Sequence, residues 1–169
     1  MKNYIAKRFQ NISGGLSLDT EALSRYSDVI DMSIGDTDFI TDSRIIDAAF
    51  SDARLGYTKY GDPKGDSELI DAVIKAYKED FSIDISRENL FVTASSCMGM
   101  GLTMMALLDP GDEVIVFSPY FTMYRSQIEL AGGVCVEVPT YGSEGYAING
   151  DRLRAAITPK TKAIIFNNP

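Results

Sequence analysis

From Arg87 onward the sequence repeats one pattern, a short apolar run of strand length followed by a segment of helix length. Runs at 90–93, 113–117, 134–138 and 163–166 read as strands, with helices between them at 97–108, 122–130 and 151–156. Strands that alternate with helices imply βαβ crossovers, because two parallel strands can be joined only by a connection long enough to return to the starting edge. The fold class is therefore α/β: a mainly parallel, four-stranded sheet, buried on both faces by flanking helices. In an open sheet of this kind ligands collect outside the carboxyl ends of the strands. The last run meets Asn167-Asn168-Pro169 with no crossover helix after it, so the 169 residues are expected to be part of a longer protein.

The first half of the chain is read from punctuation and helical spacing. A short helix is expected near 20–27, then a strand through Ile30, Met32 and Ile34 that ends at Gly35. Ser43 can cap a helix that buries Ile45, Ile46, Ala49, Phe50 and Ala53 and stops before Gly56. The stretch Gly56-Tyr-Thr-Lys-Tyr-Gly-Asp-Pro-Lys-Gly65 must be loop. A second helix is expected over 67–81, with Leu69, Val73, Ala76, Tyr77 and Phe81 on one side.

Composition then removes whole classes of chemistry. The chain has no histidine, which excludes Ser-His-Asp triads, Cys-His dyads and His-ligated metals, and no metal site is expected. Sixteen Lys and Arg against 24 Asp and Glu leave a net charge of −8, and no stretch concentrates the basic residues, so nucleic acid is not an expected partner. Cys97 and Cys135 are too far apart for a CxxC pair and too few for a disulfide scaffold, which fits a reducing cytoplasm. There is no signal-peptide pattern, and no run approaches the ~20 apolar residues that span a bilayer, so no membrane association is expected.

Three segments can carry binding chemistry. Phe91-Val-Thr-Ala-Ser-Ser-Cys-Met-Gly-Met-Gly101 passes from a strand through small hydroxyl residues into a helix start. Unpaired N–H groups there carry partial positive charge, and with the Ser95 and Ser96 hydroxyls they suit a phosphate; ordinary capping by one serine is the plainer alternative. A dinucleotide fingerprint fails because Met104 stands where the third glycine belongs, and a P-loop fails because no Gly-Lys-Ser/Thr occurs. Ser118-Pro-Tyr-Phe-Thr-Met-Tyr124 follows the next strand and lies on the same sheet edge, where an aromatic ring can stack on a planar heterocycle or simply join the core. The third segment is the loop holding Tyr57 and Tyr60.

Taken in order, these pieces resemble the aspartate-aminotransferase-like family, the class I/II, fold type I enzymes that depend on pyridoxal 5′-phosphate. The markers are Met32-Ser-Ile-Gly-Asp-Thr-Asp-Phe39, Gly56-Tyr-Thr-Lys-Tyr-Gly-Asp-Pro63 leading to Glu68-Leu69, Val92-Thr-Ala-Ser-Ser-Cys97, Leu108-Asp-Pro-Gly-Asp-Glu-Val-Ile-Val116, Ser118-Pro-Tyr-Phe-Thr-Met-Tyr124, Ala131-Gly-Gly133 and Thr161-Lys-Ala-Ile-Ile-Phe-Asn-Asn-Pro169. The resemblance implies an N-terminal portion of the enzyme. Residues 1–42 would be an arm and the start of the small-domain segment, and 43–169 the first part of the cofactor-binding large domain, truncated at its end. It also places the cofactor phosphate at Ser95, Ser96 and Cys97, the pyridine ring under Phe121, and the substrate carboxylate beside Gly35. Tyr57 would reach the phosphate bound to the partner subunit of a homodimer with shared active sites.

The family's first phosphate-loop position is commonly glycine, whereas this chain has Ser95. Asn168-Pro169 matches either the family's Asn-Pro-Thr-Gly segment or the similar Asn-x-Pro a few residues before it. The Schiff-base lysine, the aspartate that pairs with the pyridine nitrogen and the arginine that clamps the α-carboxylate are expected beyond residue 169. No catalytic residue is therefore expected within the chain, which alone should be inactive. The implied reaction of the whole protein is amino transfer between an amino acid and a 2-oxo acid, with the cofactor as electron sink. A carbon–sulfur β-lyase of the same fold, a non-catalytic cofactor-binding or dimerisation fragment, and a flavodoxin-like binding domain are the alternatives.

Overall fold

The computed structural model describes Tyr4, Ala6, Phe9, residues 25–30, Met32 and residues 35–168. These fall into two compact units, one holding the described residues from Arg25 to Val92, the other Tyr4, Ala6, Phe9 and the residues from Thr93 on. The helix expected near 20–27 lies mostly outside the described residues, and its described part, 25–27, is turn and bend. The strand expected through Ile30, Met32 and Ile34 also lies partly outside them; Ile30 and Met32 are exposed and belong to no strand.

The unit that precedes Thr93 carries α1 (Ser43–Leu55) and α2 (Ser67–Phe81). α1 is capped by Asp42, whose carboxylate accepts the Arg44 N–H at 2.8 Å; the expected cap, Ser43, is already the first helical residue. Gly56, in the left-handed region at φ 95°, ends α1 where the sequence predicts. Asp66 caps α2 by accepting from the N–H groups of Glu68 and Leu69. The helix spans are as expected, but the buried faces are not. Ile45 and Phe50 of α1 are exposed, and in α2 it is Ile70 that is buried while Leu69, Tyr77 and Phe81 are exposed. An apolar stripe is covered only where another element lies against it, so helical spacing alone does not decide which of these residues are buried.

The run at 90–93 is the second departure. Its backbone is extended, with Leu90 at φ −114°, ψ 138°, but it joins no ladder. The Val92 N–H instead donates to the Lys64 carbonyl at 2.9 Å, and Val92 lies so close over Gly65 that a Cβ there would come within 2.4 Å of it. The segment is thus held against the turn before α2, and the sheet has three strands rather than four.

The second unit follows as α3 (Ser96–Leu107), β1 (Glu113–Ser118), α4 (Met123–Leu130), β2 (Val134–Pro139), α5 (Gly150–Ala156) and β3 (Thr161–Ile165). Strand order is β2-β1-β3, and both pairings are parallel: Ile115 lies opposite Val136 on one side and Ile164 on the other. β1 is central, and alternation along it feeds two cores. Val114 and Val116 pack with Met104, Leu108, Ile128 and Ile165, while Ile115 and Phe117 pack with Val138 on the opposite face. Val114, Ile115 and Val116 are wholly buried, as the unbroken apolar run Val114–Phe117 requires of a strand covered on both faces. α3 and α4 supply one layer and α5, through Leu153 and Ala156, the other. Among the described residues no helix is long and apolar enough to cross a membrane.

Gly133 begins the entry into β2 at a point where a Cβ would meet Leu108 Cδ1 at 2.8 Å, Ile128 Cγ2 at 3.1 Å and the Asp112 carbonyl at 3.2 Å. Gly133→Ala should therefore overpack the α3–α4 side of the core and cost about 1–3 kcal/mol, read as a lower denaturation midpoint of the whole protein. An unchanged midpoint would contradict the packing described.

Candidate functional site

Because the strands are parallel, Ser118, Pro139 and Ile165 all end on one edge. Thr140 ties two of these ends together, its N–H and its hydroxyl both donating to the Ser118 carbonyl at 2.9 and 2.8 Å. The edge is hollowed by a cleft of about 710 Å³, bordered by Phe117, Pro119, Thr140, Tyr146, Phe166 and Asn167. A smaller recess of about 170 Å³ lies between the start of α3 and the loop that leads into α4, lined by Ser96, Cys97, Met100, Phe121, Tyr124 and Gln127.

The start of α3 has the chemistry of an anion site. Ser95 is its cap, the hydroxyl accepting from the Met98 N–H at 3.2 Å, which leaves the hydroxyl proton free to donate outward. Helix geometry leaves the N–H groups of Ser96 and Cys97 without intrahelical acceptors. No acidic residue lies in the first turn to repel an anion. Ser95 itself sits at φ 155°, ψ 159°, a region populated almost only by glycine, and the Thr93 hydroxyl donates to its carbonyl at 2.7 Å. Gly99 permits that bond, since a Cβ there would lie 3.1 Å from Thr93 Oγ1. The turn geometry that glycine would adopt freely is thus held on a serine by its neighbours.

Phe121 lines the same recess and is half-exposed at 51%. It makes a T-shaped contact with Tyr124 at 5.7 Å between ring centroids and an interplanar angle of 77°, and Tyr124 in turn stacks with Tyr120 at 6.4 Å and 11°. The structure brings Ser95, Ser96, Cys97 and Phe121 to one edge of one unit. Gly35 and Tyr57 belong to the other unit, where Gly35 has open space around it and Tyr57 is exposed.

Two features join residues distant in the sequence. Gln127 donates from Nε2 to the Cys97 carbonyl at 2.9 Å and to Cys97 Sγ at 3.3 Å, while its buried Oε1 has no partner. Arg125 is bound to Glu129 and Glu137, and its Nε donates to the Tyr120 hydroxyl at 3.2 Å; that hydroxyl donates to Glu137. Burial, then the hydrogen bond to Glu137, pushes the Tyr120 pKa up to about 12, so the hydroxyl stays protonated. Glu137 is held below the ordinary carboxylate range, first by the Tyr120 hydroxyl and then by Arg125, and Arg125 is raised by Glu137. Only the Arg125–Glu129 spacing, four residues apart on one helix, was available to inspection of the chain.

A parallel sheet with a donor-rich helix start and an open aromatic ring on its carboxyl edge defines an α/β ligand-binding domain. Residues 27–169 match the family described as aminotransferase class I and II. The chain is 38% identical over 142 residues to a Thermus aquaticus protein named probable aspartate/prephenate aminotransferase, covering 84% of this chain and 37% of that one. It is 37% identical over 161 residues to the aspartate aminotransferase of Thermotoga maritima, covering 94% of this chain and 43% of the relative. A single mutant of Thermus thermophilus aspartate aminotransferase superposes with a TM-score of 0.86 at 34% identity, over 97% of this chain and 44% of that structure. The chain belongs to the class I and II aminotransferases, with the fold type I arrangement expected of their first part. It spans about two-fifths of the length of these relatives, and the family uses pyridoxal phosphate.

The strain at Ser95 is open to test. Ser95→Gly should relieve it while giving up only the cap, and Ser95→Ala should keep the strain and lose the cap, so chemical denaturation should find the Gly variant more stable by about 1–3 kcal/mol. An Ala variant as stable as the Gly variant would show that the Ser95 backbone is unstrained.

Proposed function

We propose that this chain is the N-terminal portion of an enzyme that moves an amino group between an amino acid and a 2-oxo acid. The observation that carries the reading is the pairing of the α3 start with Phe121 around one recess. The donor set fits the cofactor: backbone N–H groups and serine hydroxyls for a dianionic phosphate, an open ring face for a planar pyridine. Ser95, Ser96 and Cys97 hold the phosphate, and Phe121 lies against the ring. Bound there, pyridoxal phosphate supplies an electron sink for the amino acid's α-carbon. The residues present fix where that ring lies and leave the reacting lysine to the part of the protein beyond residue 169.

Gly35 admits the substrate carboxylate close to the backbone, and Tyr57 reaches the phosphate of the partner subunit in a homodimer. Residues 43–169 then form the first part of the large domain and 1–42 the arm and the start of the small-domain segment. The enzyme works in the cytoplasm, in amino acid metabolism; both cysteines are free, as a reducing compartment keeps them.

The whole protein, given pyridoxal phosphate, aspartate and 2-oxoglutarate, should form glutamate and oxaloacetate, and a panel of other amino acids should define the preferred donor. Ser96→Asp, which sets a carboxylate against the phosphate, should raise the cofactor dissociation constant by at least about tenfold. Release of pyruvate with ammonia or sulfide, without amino transfer to any 2-oxo acid, would replace this reading with the β-lyase.

A further inference from the structure

The ring proposed to face the cofactor is not held by its own loop alone. Phe121 is half-exposed and makes a T-shaped contact with Tyr124; Tyr124 stacks on Tyr120; and the Tyr120 hydroxyl is fixed between Arg125 and Glu137. Glu137 belongs to β2, opposite Val116 of β1, so its backbone is pinned by the central ladder. Arg125 belongs to α4 and also binds Glu129 one turn on, which restrains the guanidinium from the helix side. A half-exposed aromatic ring on a loop would otherwise choose among rotamers.

We propose that Tyr120, Arg125 and Glu137 form a positioning brace that sets the plane of Phe121, and through it the orientation of the bound pyridine ring. The brace rests on the reading of Phe121 as the ring's stacking partner. None of its three members lines the recess. Their contribution is that the sheet, the helix and the aromatic stack move as one body, so that ring orientation is fixed before the cofactor arrives. The chain of contacts is ordered: β2 fixes Glu137, Glu137 and Arg125 fix the Tyr120 hydroxyl, Tyr120 fixes Tyr124, and Tyr124 fixes Phe121.

The test uses the whole protein loaded with pyridoxal 5′-phosphate and reads visible circular dichroism per unit cofactor absorbance, which reports ring orientation in a chiral site, alongside cofactor affinity and apoprotein melting temperature. Tyr120→Phe keeps the stack and removes the hydroxyl; Glu137→Gln keeps the shape and removes the charge. Each should reduce the normalised ellipticity at least about twofold and weaken cofactor binding about 3- to 10-fold. Because both act through one connection, the double variant should be no worse than the poorer single variant. Glu137→Asp, keeping the charge, should restore part of the signal that Glu137→Gln loses. Phe121→Ala separates the two levels of the argument. If it changes the ellipticity while the brace variants leave it at the native value, or lower only the melting temperature, the brace is refuted and the stacking role stands. If Phe121→Ala leaves it unchanged, the stacking role fails and the brace with it.

Discussion

Parallel pairing of β1 with β2 and β3 is the constraint on which the rest depends. It forces each connection to return through a helix, buries β1 on both faces, and gathers the carboxyl ends of all three strands on one edge. α3 packs through Met104 against Val114 and Val116 of β1, and its first turn and the loop after β1 border one recess, although Ser96 and Phe121 stand 25 positions apart in the chain. Neither element is a site by itself. A helix start offers donors without selectivity, and a half-exposed phenylalanine offers a surface without an anchor; the ladder is what makes them one recess.

The electrostatic character of the site follows from what is missing around it as much as from what is present. The first turn of α3 has no carboxylate, although the chain as a whole carries a net charge of −8. Glu129 and Glu137 are both engaged by Arg125, and Glu137 also by the Tyr120 hydroxyl of the aromatic loop. An anion at the helix start therefore meets unpaired N–H groups and hydroxyls rather than free negative charge. The absence of histidine, which excludes so much chemistry, is no obstacle to the function proposed, in which a cofactor supplies the reactivity.

Much of this was legible in the chain because it is local. The three paired strands are set by apolar runs such as Val114–Phe117, the end of α1 by Gly56, and the donor cluster by Ser95 and Ser96 standing before an apolar helix, whereas the cap of α1 fell one residue earlier than Ser43, on Asp42. What was not legible depends on partners distant in sequence. The run at 90–93 has the composition of a strand, yet Val92 is claimed by the Lys64 carbonyl and by the space over Gly65. The stripes of α1 and α2 have helical spacing, but spacing does not say whether anything covers Phe50 or Phe81. Gln127 reaching Cys97, and Arg125 reaching Glu137, follow from α4 packing beside α3 and β2, which no local pattern encodes. The Ser95 backbone lies between these cases: serine is an ordinary cap, the resemblance puts a glycine at this position, and the fold shows that the serine holds a glycine conformation.

The central claim is that the N-terminus of α3 receives the cofactor phosphate at the edge created by the parallel ladder. A crystal structure of the whole protein with pyridoxal 5′-phosphate bound tests it most directly. The account predicts phosphate oxygens within hydrogen-bond distance of the Ser96 and Cys97 N–H groups and the Ser95 hydroxyl, with the pyridine ring against Phe121. A phosphate held elsewhere, with the first turn of α3 bonded only to water, would contradict it.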